Sequence, residues 1–361
     1  MKAMVLSRIS SFRDTKTPLE MVDLPDPIPG DGEILIRVST CGVCHTELDE
    51  IEGRTPPPRF PVVPGHEIVG RVAGAGKGAT RFQMGDRVGV GWIHSACGKC
   101  PYCLSGNENV CEQFRATGRD ENGGYAEYMI VPEAFAYPIP DLFSDAEAAP
   151  LMCAGAIGYR SLRLANLEDG QNLGLTGFGA SAHLVLTMAR HVYPNSPIFV
   201  FARSEREQGF ARELGALWAG GTEDQAPERL HSIIDTTPAW KPIVEALKNL
   251  ECGGRLVINA IRKEDADKDI LMSIDSPPTC GLKRRSRASP TWPAEISANS
   301  SIWRLRSLSN PMSRNSPLKR PTGHCVSLRR GRSGEGRSCG FPDCTGIDTL
   351  SFNPEPPCAV Y

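Results

Sequence analysis

The stretch CGKCPYCLSGNENVC places Cys97, Cys100, Cys103 and Cys111 in a C-x2-C-x2-C-x7-C spacing. Four thiolates this close along a chain can close a tetrahedral shell around zinc, and a closed shell leaves no position for water or substrate. The spacing therefore predicts a structural zinc site. Such a metal contributes about 10–16 kcal/mol of apparent folding free energy to the lobe that carries it. An iron–sulfur cluster also takes four thiolates and is the rival chemistry. Four unrelated buried thiols fit so tight a spacing poorly.

The surroundings favour metal over disulfides. The N-terminus MKAMVLSRIS has no long apolar stretch and no small-residue cleavage site, and no later run of eighteen apolar residues could span a membrane. The chain reads as cytoplasmic, a compartment in which thirteen cysteines stay reduced and serve metal binding or catalysis. A length of 361 residues with 40% hydrophobic and 23% charged residues is that of a soluble protein of two ordinary domains. A net charge of −2 suggests neither a nucleic acid nor a membrane as partner.

That average conceals a break. Residues 1–276 carry 27 Lys and Arg against 37 Asp and Glu, whereas residues 277–361 carry 13 against 5. The second segment is rich in Ser, Pro and Arg, as in GLKRRSRASP and SLRRGRSGEGRSCG, without a sustained apolar period. It is expected to be irregular and not a continuation of the preceding domain.

Before the break two regimes follow each other. Short β-type runs, EILIRVS, EIVGRVAG, DRVGVGW and YAEYMIVP, predict a mostly β domain over residues 1–135. Residues 136–276 then alternate: DAEAAPLMCAGAIGYRSLRLA has helical spacing, and NLGLTGFG, SAHLVLTMARHV, IFVFARS, EREQGFARELGA, HSIIDTT, KPIVEALKNL and GGRLVINA follow as strands and helices. Such alternation implies βαβ units and a parallel sheet. Within it Gly177, Gly179 and Ala182 form G-x-G-x-x-A between a strand and a helix. A glycine turn of this kind lets the backbone approach a pyrophosphate, with helix N–H groups as donors. At the end of the next strand, where an acid holds the ribose of NAD, the chain has Ala202, Arg203 and Ser204. A cation there suits a 2′-phosphate, so NADP(H) is expected over NAD(H).

CGVCHTELDE, residues 41–50, raises a further question. Cys41 and Cys44 could be a redox pair, half of a zinc cluster, or one ligand beside a bystander.

The ordered set GVCHTE, PGHE, the four-cysteine lobe, LMCAGAIGYRSL and GFGASA resembles the zinc-dependent alcohol dehydrogenases of the medium-chain dehydrogenase/reductase family over residues 1–276. The resemblance implies an α/β two-domain fold, with a GroES-like catalytic domain and a Rossmann-type nucleotide-binding domain. It implies two zinc ions per chain. Cys44, His66 and Cys153 match the catalytic ligands, which leave one position open, and Cys41 is left without a ligand role. Glu47 matches the acid that orients the histidine ligand, and Glu67 an acid close to the metal. Thr46 matches the hydroxyl that takes the alcohol proton, His45 a position near the cofactor pyrophosphate, and Trp92 a wall of the substrate pocket. Where relatives often end the proton relay in histidine, this chain has Asp49. Thr55 stands where some relatives have tryptophan and would widen the pocket. The implied activity is hydride transfer between a primary alcohol or aldehyde and NADP(H) or NAD(H), with zinc as Lewis acid. Intact relatives are homo-oligomers. A zinc-free reductase of the same superfamily would have no need of Cys44, His66 and Cys153.

The tail departs from that family. A permitted codon choice for TCGLKRRSRASPTWPAE reads LWLEKEIKSVANVARRD in an alternative frame, which restores a strand-like IKSVANV. A frameshift near Ser276–Thr279 would account for the break, at the cost of a sheet strand and of the closing part of the catalytic domain. The alternative to an active enzyme is an inactive zinc-binding product of such a gene.

Overall fold

The computed structural model describes residues 1–274 and three short strands beyond them, Arg285–Ala288, Cys325–Leu328 and Asp348–Phe352. The rest of the segment expected to be irregular lies outside the described residues. The chain forms two compact units, built mainly from Met1–Cys153 and Ala154–Thr291. The first therefore runs past residue 135 and includes Cys153.

The first unit contains β1 (Lys2–Val5), β2 (Glu20–Asp23), β3 (Glu33–Val43), α1 (His45–Ile51), β4 (Glu67–Ala75), β5 (Arg87–Val90), β6 (Ile93–Ser95), α2 (Pro101–Leu104), β7 (Arg115–Ala116), β8 (Tyr128–Pro132), β9 (Ala136–Pro138) and α3 (Asp145–Ala148). Its framework is β3, which pairs antiparallel with β4 on one side and with β8 along its first half. EILIRVSTCGV alternates as a half-buried strand should: Ile34, Ile36 and Val38 are buried while Arg37 is exposed. With Ile68, Val72, Val88, Met129 and Val131 they form one core. Each such side chain contributes about 1.5–3 kcal/mol by leaving water. The register places Gly42 opposite Glu67. A Cβ at Gly42 would lie 2.1 Å from Glu67 Oε2, so only glycine lets that carboxylate sit there.

The second unit contains α4 (Ala154–Ala165), β10 (Leu173–Thr176), α5 (Ala180–Val192), β11 (Ile198–Phe201), α6 (Glu205–Glu213), β12 (Trp218–Gly220), β13 (Leu230–Asp235), α7 (Lys241–Asn249), β14 (Leu250–Ile258) and β15 (Arg285–Ala288). All its strand pairs are parallel, in the order β12-β11-β10-β13-β14-β15. Every residue of β10 and β11 is buried, the continuous apolar pattern of a sheet covered on both faces. The order reverses at β10, which makes the carboxyl ends of β10 and β13 a topological switch point.

Two expectations change. The sheet does not end at β14: β15 pairs with it from Arg255↔Arg285 to Ile258↔Ala288. A sheet edge offers unpaired N–H and C=O groups that any extended segment can satisfy, whatever its side chains. Likewise β16 (Cys325–Leu328) joins β17 (Asp348–Phe352), and β17 pairs with β3 at Thr40–Val43. The helix expected over DAEAAPLMCAGAIGYRSLRLA is also broken. α3 ends at Ala148, Ala149–Met152 is a 3-10 turn containing Pro150, and Cys153 is non-helical at φ −128° and ψ −78°. α4 starts only after it.

Candidate active site

Cys44 precedes α1 directly and is its N-cap residue. His66 precedes β4, and the β3–β4 ladder ends in Gly42↔Glu67, so the two ligand-bearing corners lie side by side. The break before α4 frees Cys153 to join them. His66 Nε2 lies 3.2 Å from Cys153 Sγ, and the two sulfurs of Cys44 and Cys153 are 3.8 Å apart. One ligand atom from each of Cys44, His66, Glu67 and Cys153 falls within 4.8 Å of the others. On the far side of the imidazole, His66 Nδ1 faces Glu47 Oε1 at 2.5 Å, while Glu47 Oε2 accepts from Cys44 N at 2.7 Å. One carboxylate thus fixes both the ring and the helix start that carries Cys44. The Trp92 ring meets the His66 ring edge-on at 5.0 Å.

The electrostatics are those of charges crowded into a dry place. A shared bond with Cys153, helped by His66, holds the Cys44 thiol well below its usual range despite burial. The same bond, with burial, pushes Cys153 well above it. Burial works against a charged His66, but Glu47 and Cys44 hold its imidazole well above the usual value. Burial raises Glu67, and the nearby Cys44 charge adds to it. Thiols that share protons around a buried imidazole form a donor set suited to zinc, which takes sulfur and nitrogen ligands in deprotonated form.

A second donor set lies in the loop around α2. Cys97, Cys100, Cys103 and Cys111 also bring one sulfur each within 4.8 Å. Backbone N–H groups of Cys100 and Cys103 point at Cys97 Sγ and Cys100 Sγ at 3.3 and 3.4 Å. N–H donors from Lys99 and Cys100 pull Cys97 down to about 6, and burial with a bond from Cys100 pushes Cys103 up to about 12. All seven cysteines of these two stretches and of residue 41 are free thiols. Cys252, outside them, is disulfide-bonded.

In the second unit Gly177 has φ +75°, and Gly179 is the N-cap of α5 with nothing within 4 Å of the place its Cβ would occupy. An open cradle in front of a thirteen-residue helix fits a dinucleotide pyrophosphate.

A model of the alcohol dehydrogenase GroES-like domain matches residues 30–141. A probable alcohol dehydrogenase, AdhA, of Mycobacterium tuberculosis is 44% identical over 253 residues, which cover 69% of this chain and 72% of that protein. The chain belongs to the zinc-dependent alcohol dehydrogenases of the medium-chain dehydrogenase/reductase family. An alcohol dehydrogenase of Moraxella sp. is 34% identical over 274 residues, covering 73% of this chain and 79% of its own. Two solved structures share the fold. A cobalt- and zinc-bound thermostable alcohol dehydrogenase of Pyrobaculum aerophilum has TM-score 0.75 at 22% identity, covering 97% of this chain and 99% of its own. CAD from Helicobacter pylori, complexed with NADP(H), has TM-score 0.71 at 23% identity, covering 85% and 88%.

The remaining predicted residues of this dehydrogenase fall as follows. Thr46 is buried, and its hydroxyl lies 3.5 Å from Cys44 Sγ. His45 is 58% exposed, 3.9 Å from Asp49 Oδ1, and Asp49 is also bound by Arg54 Nε. Thr55 is half-buried, with its hydroxyl oxygen buried and unpartnered. Cys41 is wholly buried and belongs to the core, apart from the ligand set. Ala182 is buried in α5. Arg203 is exposed after β11, whereas Ser204 caps α6 and donates its hydroxyl to Glu207 at 3.0 Å. Ser204 is therefore already engaged.

Sequence reasoning missed Glu50. It is 1% exposed, one turn after Glu47, and its Oε1 has no hydrogen-bond partner. Burial and the charge of Glu47 push its carboxyl well above the usual range. The i,i+3 spacing of two acids in TELDE was the available signal.

Proposed function

We propose that this chain oxidises primary alcohols and reduces aldehydes with NADP(H), using a catalytic zinc held by Cys44, His66 and Cys153 and a structural zinc held by Cys97, Cys100, Cys103 and Cys111. The observation that carries the reading is the convergence of two half-buried thiols and one buried imidazole, from positions far apart in the chain, on one point beside the buried Glu67. Bound there, zinc supplies a Lewis acid that favours the ionised form of an alcohol.

The chain's own groups do the rest. Glu47 holds His66 so that Nε2 faces the ligand set. Glu67 stands beside it as an acid able to approach the metal. Thr46 Oγ1, buried next to Cys44, takes the alcohol proton and passes it outward. The outer half of that relay differs from the histidine type, since Asp49 is tied to Arg54. Trp92 walls one side of the pocket and Thr55 leaves the other wider, which favours alcohols larger than ethanol. Arg203 is the cation for a 2′-phosphate, acting without the hydroxyl of Ser204.

Zinc analysis combined with NADP(H)- and NAD(H)-linked turnover of a panel of primary alcohols, with chelated protein as control, tests the reading. Turnover that survives chelation, or a preference for NAD(H), would contradict it.

A second reading rests on the charge break at residue 277. In it, the chain is the inactive zinc-binding product of a frameshifted dehydrogenase gene. A folded, zinc-loaded protein that binds no dinucleotide would favour it. DNA sequence across codons 276–279 that confirms the frame as written would remove it.

A further inference from the structure

At the switch point of the parallel sheet a lysine and an aspartate are buried together. Asp235 closes β13 and is wholly buried, and the Lys263 side chain, from the segment after β14, is 7% exposed. Lys263 Nζ donates to Asp235 Oδ2 at 2.5 Å, to Thr237 O at 2.6 Å and to Ala239 O at 2.9 Å. Those bonds use all three donors of the ammonium. Asp235 Oδ1 accepts from Thr176 Oγ1 at 2.6 Å and from Thr237 Oγ1 at 2.7 Å. The network then closes on the glycine turn. Thr236 donates its N–H and its hydroxyl to Thr176 O at 3.0 and 2.9 Å. A Cβ at Gly177 would lie 2.8 Å from Thr237 Cγ2 and 3.0 Å from Thr236 Oγ1, so the two threonines are the floor on which Gly177 rests.

Stability alone is a weak reason for such a pair, because apolar replacement of both partners is often neutral or favourable. We propose that Lys263 and Asp235 are positioning residues for the dinucleotide. They lock Thr236 and Thr237 beneath Gly177 and so set where the turn and the first N–H groups of α5 stand when the pyrophosphate arrives. The inference rests on the dehydrogenase reading. Neither residue touches the cofactor: the lysine charge is matched by Asp235 and its donors are spent, so its effect runs through the threonine floor.

The paired variant D235N–K263M removes both charges together and avoids leaving one buried without its partner. T237V keeps the methyl under Gly177 but removes the hydroxyl bonded to Asp235. Each is compared with wild type by dinucleotide fluorescence titration for Kd, by zinc content and by thermal unfolding. The expected result is a folded D235N–K263M protein with wild-type zinc whose Kd for NADPH rises about tenfold, a loss of about 1.4 kcal/mol. T237V is expected to show a smaller rise in the same direction. A purely structural role would lower the thermal midpoint and leave Kd unmoved, so a folded paired variant with wild-type Kd overturns the inference. If the paired variant does not fold, an unchanged Kd in T237V overturns it. Wild-type protein that binds neither NADPH nor NADH overturns the dehydrogenase reading and this inference with it, whereas wild-type binding with unmoved variants overturns the inference alone.

Discussion

The two cysteine-bearing sites are built by opposite routes. Cys97, Cys100, Cys103 and Cys111 meet within one loop that holds only a four-residue α-helix, α2, and a three-residue 3-10 turn, Glu108–Val110. Cys44, His66 and Cys153 meet because a β-ladder and a helix break carry them together from the start, middle and end of the first unit. The loop has little else to hold it: Tyr102 and Leu104 are 50% and 76% exposed, and none of its residues joins the main core of its unit. The scattered site is the reverse, a set of groups already fixed by the strands around it. A metal should therefore build the first site and only occupy the second.

Removing Cys97 and Cys100 as serines should have the largest effect. The loop would forfeit most of the roughly 10–16 kcal/mol of apparent folding free energy that structural zinc supplies to small domains. Limited proteolysis should then cut between residues 97 and 111, and zinc content should fall by one ion per chain. A protease-resistant loop without its zinc would break the contrast. Cys44→Ser should instead leave far-UV circular dichroism and the loop zinc intact while lowering kcat/KM by about a thousandfold, near 4 kcal/mol.

Smaller changes sharpen the comparison. Glu47→Gln weakens the grip on His66 and should lower zinc affinity at the scattered site about 10–100-fold, leaving the four-cysteine site unchanged in chelator competition. Glu50→Gln should have the smallest effect and the opposite sign. Burial raises the folded-state pKa of Glu50 above its unfolded value. Its contribution to folding is therefore complete below the unfolded value of about 4.3 and is lost as pH rises through the folded one. Glutamine does not titrate, so the variant should be more stable than wild type by about 1–2 kcal/mol at pH 8 and equal to it near pH 4. Urea unfolding at the two pH values measures this; a gap that does not grow with pH would show that the scattered site carries no such burden.

The parts legible in advance were those in which neighbours in sequence are neighbours in space. The C-x2-C-x2-C-x7-C spacing and the G-x-G-x-x-A turn belong to single loops, and the apolar runs of β10 and β11 announce a sheet covered on both faces. The helix across Cys153 was misread because its small apolar residues keep helical spacing, although Pro150 cannot supply an N–H to a continuing ladder. The sixth strand was missed because RSRA has no apolar pattern. An edge position demands only a backbone. The engagement of Ser204 by Glu207 was readable as a capping box, S-x-x-E, and competes with a phosphate role.

By itself the sequence determined the types and order of the chemical groups: which thiols can share a metal within one loop, where a glycine turn opens a helix, and where the charge of the chain reverses. Cys44, His66 and Cys153 were named together only through the family resemblance, and it is the tertiary structure that brings them to one point, sends Cys41 to the core and carries Lys263 to Asp235, 28 residues away, beneath Gly177. The reason is physical. Local spacing limits what a short loop can bring together, whereas distant groups meet only where strand register, buried glycines and helix breaks place them, and those depend on the packing of the whole unit.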